Sequence, residues 1–448
     1  MFKKIVLDNF MSFDHIEFDL SGTGKEGTPL PYAVIYGENG AGKSNIVSSF
    51  LFLKDTLHTM VVRRAMDEAG IGATDNIRDI IRVGTRENAT VGALVGSRIN
   101  LDSCAESYRM IDGGPMSVSY SFSLNGRDGC YKLSFDQGGG LISEEMTYRA
   151  NKRAVALFSI RNGGSGPVFD GSKITYNRKY RKDLSERVDR FWGKNTFLSI
   201  LRDQMDRNNP GYMSEAIYPA LMDIMGFFFS FSVSFRGKTK DARYQPFEIL
   251  DLSGGVIPAH KEKDLMRIEK GLSSFFKRTF SDIKGVYYRL DGRDAILEYT
   301  LIFKKMICGK IRDVEASSES TGTIGLLENF QSFLSCCMGN TIVIDETDNG
   351  VHDLMMDNVF REMLDANKGQ IIMTAHDTLF LEHISPKSTF ILQIDGAGRK
   401  RMVRVSDLER TQKNHNNRQR YIRGLFGGVP VLSEIDMGDI AGEMGSGE

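Results

Sequence analysis

Cysteine is scarce in this chain, with five in 448 residues (Cys104, Cys130, Cys308, Cys336, Cys337). None forms a CxxC pair and none has a histidine at metal-ligand spacing, which excludes a disulfide framework and a thiolate metal site and points to a reducing compartment. Cys336 and Cys337, in an apolar run before a strand, read as small buried thiols. Long hydrophobic runs are missing too. The greasiest stretch, "MGFFFSFSVSF" (Met225–Phe235), has about half the length needed to span a bilayer, and its alternating serines predict a half-buried strand. The N-terminal "MFKKIVLDNF" turns polar too soon for a signal peptide. A formal net charge of −1 leaves no bulk field to draw the chain to nucleic acid or membrane. With 41% hydrophobic and 26% charged residues, the composition is that of a soluble cytoplasmic protein of two or three sub-domains with no membrane partner.

What is present is concentrated in three short segments. "AVIYGENGAGKSN" reads as strand, glycine loop and helix, and Gly37–Ser44 satisfies GxxxxGK[ST]. The glycines let backbone N–H groups of Asn39, Gly40, Ala41, Gly42 and Asn45 face a phosphate chain, helped by the dipole of the following helix. Lys43 would neutralise the β- and γ-phosphates of ATP, and Ser44 would hold Mg²⁺. Downstream, "NTIVIDETDNGVHD" predicts a buried strand over Thr341–Ile344 that delivers Asp345 and Glu346 at its C-terminal end. Asp345 would reach Mg²⁺ through water, and Glu346 would polarise the attacking water, work that contributes about 10²–10⁴-fold. "GQIIMTAHDTLFLE" predicts a strand over Gln370–Thr374 beside that of Asp345, with His376 just past its end as γ-phosphate sensor or as a capping histidine. Asp377 is a candidate helix N-cap.

A fourth element has two candidates. "LSGG" at 252–255 spells the signature of ATP-binding cassettes, but it lies about 90 residues before Asp345 and Pro258 breaks any helix after it. "ESTGTIGLLENFQSFLSCC" fits better. Ser320, Gly322 and Thr323 open an apolar-periodic helix that leads straight to Thr341, and such a turn presents N–H groups and hydroxyls to a γ-phosphate. The LSGG is expected to be a decoy loop.

Together, "IVLDNFMSF", "GENGAGKSN", "ESTGTIGLL", "IDETDNGVH", "TAHDTLFLE" and "YIRGLFGGVP" resemble the ABC/SMC-head ATPases, a group that includes RecF and the OLD-type proteins. The likeness extends over most of the chain and is greatest to the RloA-like abortive-infection ATPases of bacterial phage defence. The resemblance implies an α/β P-loop NTPase fold of ABC-ATPase head type with a β-lobe and a helical insertion. It implies a homodimer or larger homo-oligomer sandwiching ATP and Mg²⁺, with Ser320 and Gly322 touching the partner's γ-phosphate and Asp348 and Asn349 crossing the interface. No glutamine between the phosphate-loop helix and the β-rich region fits the family's Q-loop. Only about 70 residues follow His376, without an Asp-x-Asp strand, so a TOPRIM-like nuclease or toxin would be a separate protein, with DNA or a phage protein as trigger.

Between the motifs, "TVGALVGSRIN" and the stretch from Pro115 to Phe158 alternate and are broken by Asn-Gly and Gly clusters, which predicts a β-meander. Lys182 to Arg278 reads as helical, without sustained heptads. Residues 1–95 are expected to form the first half of the head, 96–180 a β-lobe, 181–285 a helical insertion, 286–395 the second half of the head and 396–448 a basic tail. That tail (Arg399, Lys400, Arg401, Arg404, Arg410, Lys413, Arg418, Arg420, Arg423) is either a solvated face or a contact for a phosphate backbone or an acidic partner. The latter would suit a RecF-like DNA-repair ATPase, the alternative to phage defence.

Overall fold

The structure, a computed structural model, describes residues 1–22, 27–68, 100–150, 153–235, 249, 251–292, 295–346, 350–408, 416–429, 436–438 and 440–441. Its strands in chain order are β1 (Phe2–Phe10), β2 (Phe13–Asp19), β3 (Tyr32–Gly37), β4 (Met116–Leu124), β5 (Arg127–Phe135), β6 (Leu141–Ala150), β7 (Arg153–Asn162), β8 (Pro167–Asp170), β9 (Ser232–Ser234), β10 (Gly254–Pro258), β11 (Ile283–Asp291), β12 (Ile296–Ile307), β13 (Lys310–Glu315), β14 (Thr341–Ile344), β15 (Gln370–Thr374), β16 (Thr389–Ile394) and β17 (Lys400–Arg404). They form three sheets. A six-stranded sheet runs β17-β16-β3-β15-β14-β9, parallel except for β17 at its edge. A seven-stranded antiparallel sheet runs β2-β1-β4-β5-β6-β7-β8, and a smaller antiparallel sheet is built around β12.

The helix Lys43–Glu68 explains how the first two sheets are joined. Every residue from Ile46 to Met60 is buried, so this helix has no solvated face and must lie within the core. Phe50 and Phe52 meet Tyr120 and Phe135 of the seven-stranded sheet, and the Tyr120 hydroxyl donates to the Ser49 carbonyl at 2.6 Å. Lys54 is fully buried; its ammonium donates to the Phe228 and Phe229 carbonyls and sits 4.1 Å from the centre of the Phe231 ring. Gln370 of β15 makes a second bridge, accepting from Phe2 N–H at 2.7 Å and donating to the Phe2 and Leu30 carbonyls. A buried amide that satisfies three backbone groups fixes the register of β1 against the parallel sheet.

The β-meander follows the alternation in the sequence. Met116, Val118, Tyr120 and Phe122 are buried on one face of β4, and Asn125 and Gly126 both take positive φ (52° and 71°) in the hairpin turn, the conformation an Asn-Gly pair favours. β1 pairs with β4, so "IVLDNFMSF" and the meander share one sheet. "TVGALVGSRIN" lies outside the described residues but for Asn100, which caps the helix Leu101–Tyr108.

Three expectations need correction. Met225–Ser230 is the end of a helix, Pro219–Ser230, and only Ser232–Ser234 of that run is strand. A run of consecutive phenylalanines has no period of its own, and Pro219 in the first helical turn was the overlooked start signal. Second, the stretch 181–285 is not helical throughout: β9 enters the parallel sheet beside β14, and β10 pairs with β12. Third, the LSGG is no loop. Leu252 is buried, Ser253 turns on the Asp251 carboxylate, and Gly254–Gly255 begin β10.

Candidate functional site

β3 delivers the phosphate loop and the helix Lys43–Glu68 carries it away. Gly40 (φ 83°) and Gly42 (φ 103°) hold the left-handed backbone that curls the loop. A Cβ on Gly42 would lie 3.0 Å from the Phe13 ring and 3.2 Å from Ser12 Oγ, so the β1–β2 turn closes against the loop. Lys43 is 6% exposed and donates to the Gly37 and Glu38 carbonyls at 2.7 and 3.2 Å. Ser44 follows in the first helical turn, half-buried. Asn45 turns outward from the helix, its Nδ2 donating to Ser12 Oγ at 2.6 Å. Asn39 and Gly40 are exposed at the loop's tip, whereas Ala41 is buried and its N–H reaches the Glu38 carbonyl at 3.2 Å.

One strand, β15, separates β3 from β14. Asp345 stands at the end of β14, 1% exposed, its N–H bonded to Ser234 O of β9. The Thr374 hydroxyl donates to Asp345 Oδ1 at 2.8 Å and accepts the Glu346 N–H at 2.9 Å. Glu346 takes φ 53°, a left-handed conformation that costs a side-chain-bearing residue about 1–2 kcal/mol. His376 Nε2 lies 3.6 Å from Glu346 Oε1, and both side chains are partly exposed. Sequence reasoning missed Thr374, which it took as the plain end of a strand; only the β14–β15 register reveals its role. Asp377 accepts from Leu379 N–H at 2.7 Å but is not the N-cap: the element is a 3₁₀ turn (Leu379–Glu382) in place of the expected helix, and Thr378 stands at its cap position.

Ser320 caps the helix Thr321–Cys337, its Oγ accepting Thr323 N–H at 3.2 Å and lying 2.8 Å from Thr323 Oγ1. Gly322 is packed so tightly that an added Cβ would sit 2.5 Å from the Gly350 carbonyl oxygen. The Ser320 hydroxyl bonds to Thr323, the Ser320 N–H donates to Glu319 and the Ser320 carbonyl accepts from Ile324 N–H, so these groups are engaged within the helix start itself. Asp348 and Asn349 lie outside the described residues.

The carboxyl-terminal segment braces this site. Tyr421 packs on Tyr36 of β3 with ring centres 5.5 Å apart, and its hydroxyl donates to Gly428 O. Gly428 (φ 68°) comes so close to β3 and β16 that a Cβ there would meet Ile391 at 2.5 Å and Gly37 Cα at 3.4 Å. The basic residues nearby are largely engaged. Arg399 pairs with Asp395, Arg401 with Gln393, Arg404 with the Asp19 carbonyl, and Arg418 with Thr378 and Glu382. Arg410 and Lys413 lie outside the described residues.

A glycine loop on a parallel strand, a helix starting at its lysine, and an Asp-Glu pair one strand away complete the fold assignment. The fold is that of an α/β P-loop NTPase, carrying an antiparallel β-lobe. Residues 4–206 match the family model described as AAA domain, a span that holds the phosphate loop and stops short of Ser320, Asp345 and His376. No curated protein matches the chain. Among solved structures, the chain is similar to the SMC head domain from Thermotoga maritima (15% identity, 90% of this chain and 98% of that one, TM-score 0.39). It is similar to an SmcHead bound to the C-winged helix domain of ScpA (14% identity, 90% and 96%, TM-score 0.43). A third likeness is to the Smc head domain with an extended coiled coil bound to the C-terminal domain of ScpA derived from Pyrococcus furiosus (12% identity, 90% and 95%, TM-score 0.37). Among the described residues no helix is long and apolar enough to cross a membrane.

Proposed function

We propose that the chain binds and hydrolyses ATP as an ABC-type ATPase, and that it serves in the cytoplasm as the nucleotide-gated sensor or scaffold of a bacterial anti-phage system. The observation that carries the ATPase reading is the Asp345–Thr374–Glu346 linkage, which fixes one buried and one partly exposed carboxylate at the strand end beside the phosphate loop. Oxygen donors of this kind, the Ser44 hydroxyl and the Asp345 carboxylate, suit Mg²⁺, which when bound would neutralise charge on the β- and γ-phosphates. Lys43 would leave the loop carbonyls for the phosphates. Glu346 would take the proton of the attacking water, and His376, in reach of Glu346, would orient that water or sense the γ-phosphate.

Ser320 and Thr321, exposed at the start of that helix with Thr323 buried behind them, form the face on which a second copy would cap the nucleotide. A site shared between two chains makes hydrolysis depend on assembly, so bound ATP reports a conformational state. The phage-defence role and the control of a separate effector, a TOPRIM-like nuclease or toxin, rest on the motif resemblance. Glu346→Gln should bind Mg-ATP, hydrolyse it at under about 1% of the normal rate and accumulate as a closed dimer. Normal turnover by that variant would remove the assignment.

A second reading, a RecF-like DNA-binding ATPase, draws on one feature. Lys270, Lys277 and Arg278 of the helix Glu262–Thr279 line a concave surface of ≈ 450 Å³ with Ser273 and Ser274. Such a surface suits a phosphate backbone better than the tail does. Stimulation of hydrolysis by duplex DNA at low salt, abolished by charge reversal at Lys270 and Lys277, would decide for it.

A further inference from the structure

One member of the basic tail is not spent on a surface pair. Lys400 opens β17, and the register of the sheet fixes it at the level of the phosphate loop: Lys400 pairs with Ile394, and Leu392 of the same strand pairs with Gly37. Its ammonium donates to the Gly40 carbonyl at 3.0 Å and to Ser12 Oγ at 2.7 Å, and it lies 5.8 Å from the centre of the Phe13 ring. Ser12 in turn receives the Asn45 amide, so one hydroxyl links the tail, the β1–β2 turn and the residue after Ser44.

Gly40 is exposed, its φ is 83°, and the space beside it is open, so its peptide is held by two hydrogen bonds, the carbonyl by Lys400 and the Ala41 N–H by the Glu38 carbonyl. In a trans peptide the Gly40 carbonyl and the Ala41 N–H point oppositely, so pinning the first orients the second. Lys400 also carries an uncompensated cost. Burial disfavours its charge, its hydrogen-bond partners are neutral oxygens, and among the described residues no carboxylate forms an ion pair with it. An anion at the loop would offset that cost.

We propose that Lys400 is a positioning residue of the nucleotide site, a second cation that holds the phosphate loop through Gly40 and adds positive charge beside the bound phosphates. Lys43 covers the Gly37 and Glu38 carbonyls from within the motif, and Lys400 covers the Gly40 carbonyl from a strand more than 350 residues later. This inference rests on the nucleotide-binding reading above and extends it to a residue outside every sequence motif.

The test is equilibrium binding of Mg-ATP and Mg-ADP, by titration calorimetry, to the full chain and to Lys43→Ala, Lys400→Met and Lys400→Arg, with thermal melts of each. Lys400→Met keeps the aliphatic stem against Phe13 and removes the charge. It should melt within about 2 °C of the parent and bind both nucleotides about tenfold more weakly. Lys400→Arg should stay within about threefold of the parent. Parental affinity in Lys400→Met would overturn the proposal, as would Lys400→Arg binding as weakly as Lys400→Met. Failure of the parent itself to bind nucleotide, or undiminished binding by Lys43→Ala, would instead overturn the reading beneath it.

Discussion

The Thr374 hydroxyl donates to Asp345 Oδ1 and accepts the backbone N–H of Glu346, so one oxygen sets the orientation of both acidic residues. A hydroxyl can do both and a methyl can do neither. Thr374→Val, equal in shape, should lower stability by about 1–3 kcal/mol because it removes both hydrogen bonds at the strand end. Hydrolysis should fall on the order of 10²-fold through misplacement of Glu346, while Thr374→Ser retains most of both. Phosphate release under saturating Mg-ATP, with urea unfolding alongside, separates the two effects. Unchanged turnover in Thr374→Val would exclude this role.

Gly428 and Gly424 offer a controlled pair. Both have positive φ (68° and 75°), but only Gly428 is crowded, with Ile391, the Leu392 carbonyl and Gly37 all within reach of an added Cβ. Gly424→Ala should cost about 1–2 kcal/mol of backbone strain and leave nucleotide binding alone. Gly428→Ala carries the same strain and also pushes on the strand that ends in the phosphate loop. Its melting temperature should fall further, and the upward shift produced by Mg-ATP should shrink. Equal ATP-induced shifts in the two variants would show that the terminal segment does not support the loop.

These two cases show which parts of the site the sequence makes legible. The phosphate loop is contiguous, and glycines at positions 37, 40 and 42 with Lys43 and Ser44 announce their backbone needs locally. Thr341–Ile344 ends in two acids, and β-branched residues before paired carboxylates are a pattern a reader can see. Thr374 and Lys400 act across strand neighbours, through a register that no local window contains. The same limit applied to β1, which pairs with β4 more than a hundred residues on. The helix Pro219–Ser230 was hidden for another reason: its run of phenylalanines supports either period, although only Leu221, Ile224, Met225 and Phe228 turn inward.

Glu144 is wholly buried in the β-lobe and accepts four hydrogen bonds, from the Tyr131 hydroxyl, Trp192 Nε1 and the N–H groups of Phe197 and Leu198. Burial pushes its carboxyl up to about 7 despite those donors, which favour the charged form. The folded chain therefore holds this proton more tightly than the unfolded chain. The contribution is present in full below pH ~4.5 and is lost as pH rises to about 7, with a slope of at most about 1.4 kcal/mol per pH unit. Urea midpoints measured from pH 5 to 8 should show that decline in the parent. Glu144→Gln should lack it and should be less stable throughout by about 2–4 kcal/mol, since its amide N–H₂ faces donors. Identical pH profiles would assign the decline to other groups.

Gly322 is the last case, and it separates the helix from the turn that opens it. Alanine within a helix ordinarily gains about 0.5–1 kcal/mol over glycine. Here its Cβ would lie 2.5 Å from the Gly350 carbonyl oxygen, so the Ser320–Thr323 turn or the segment at Gly350 must shift. Gly350 follows Asp348 and Asn349, the residues expected at the dimer interface. Mg-ATP binding to the isolated chain, which uses Lys43 and Ser44, should change by less than about twofold. Closure of two chains over the nucleotide should weaken by about tenfold or more, because the displaced turn is the capping surface. Sedimentation of Glu346→Gln with and without Gly322→Ala, at matched ATP saturation, reads closure directly. Equal dimer fractions would mean that the turn does not cap the nucleotide, and the shared-site reading would have to be abandoned even with the ATPase activity intact.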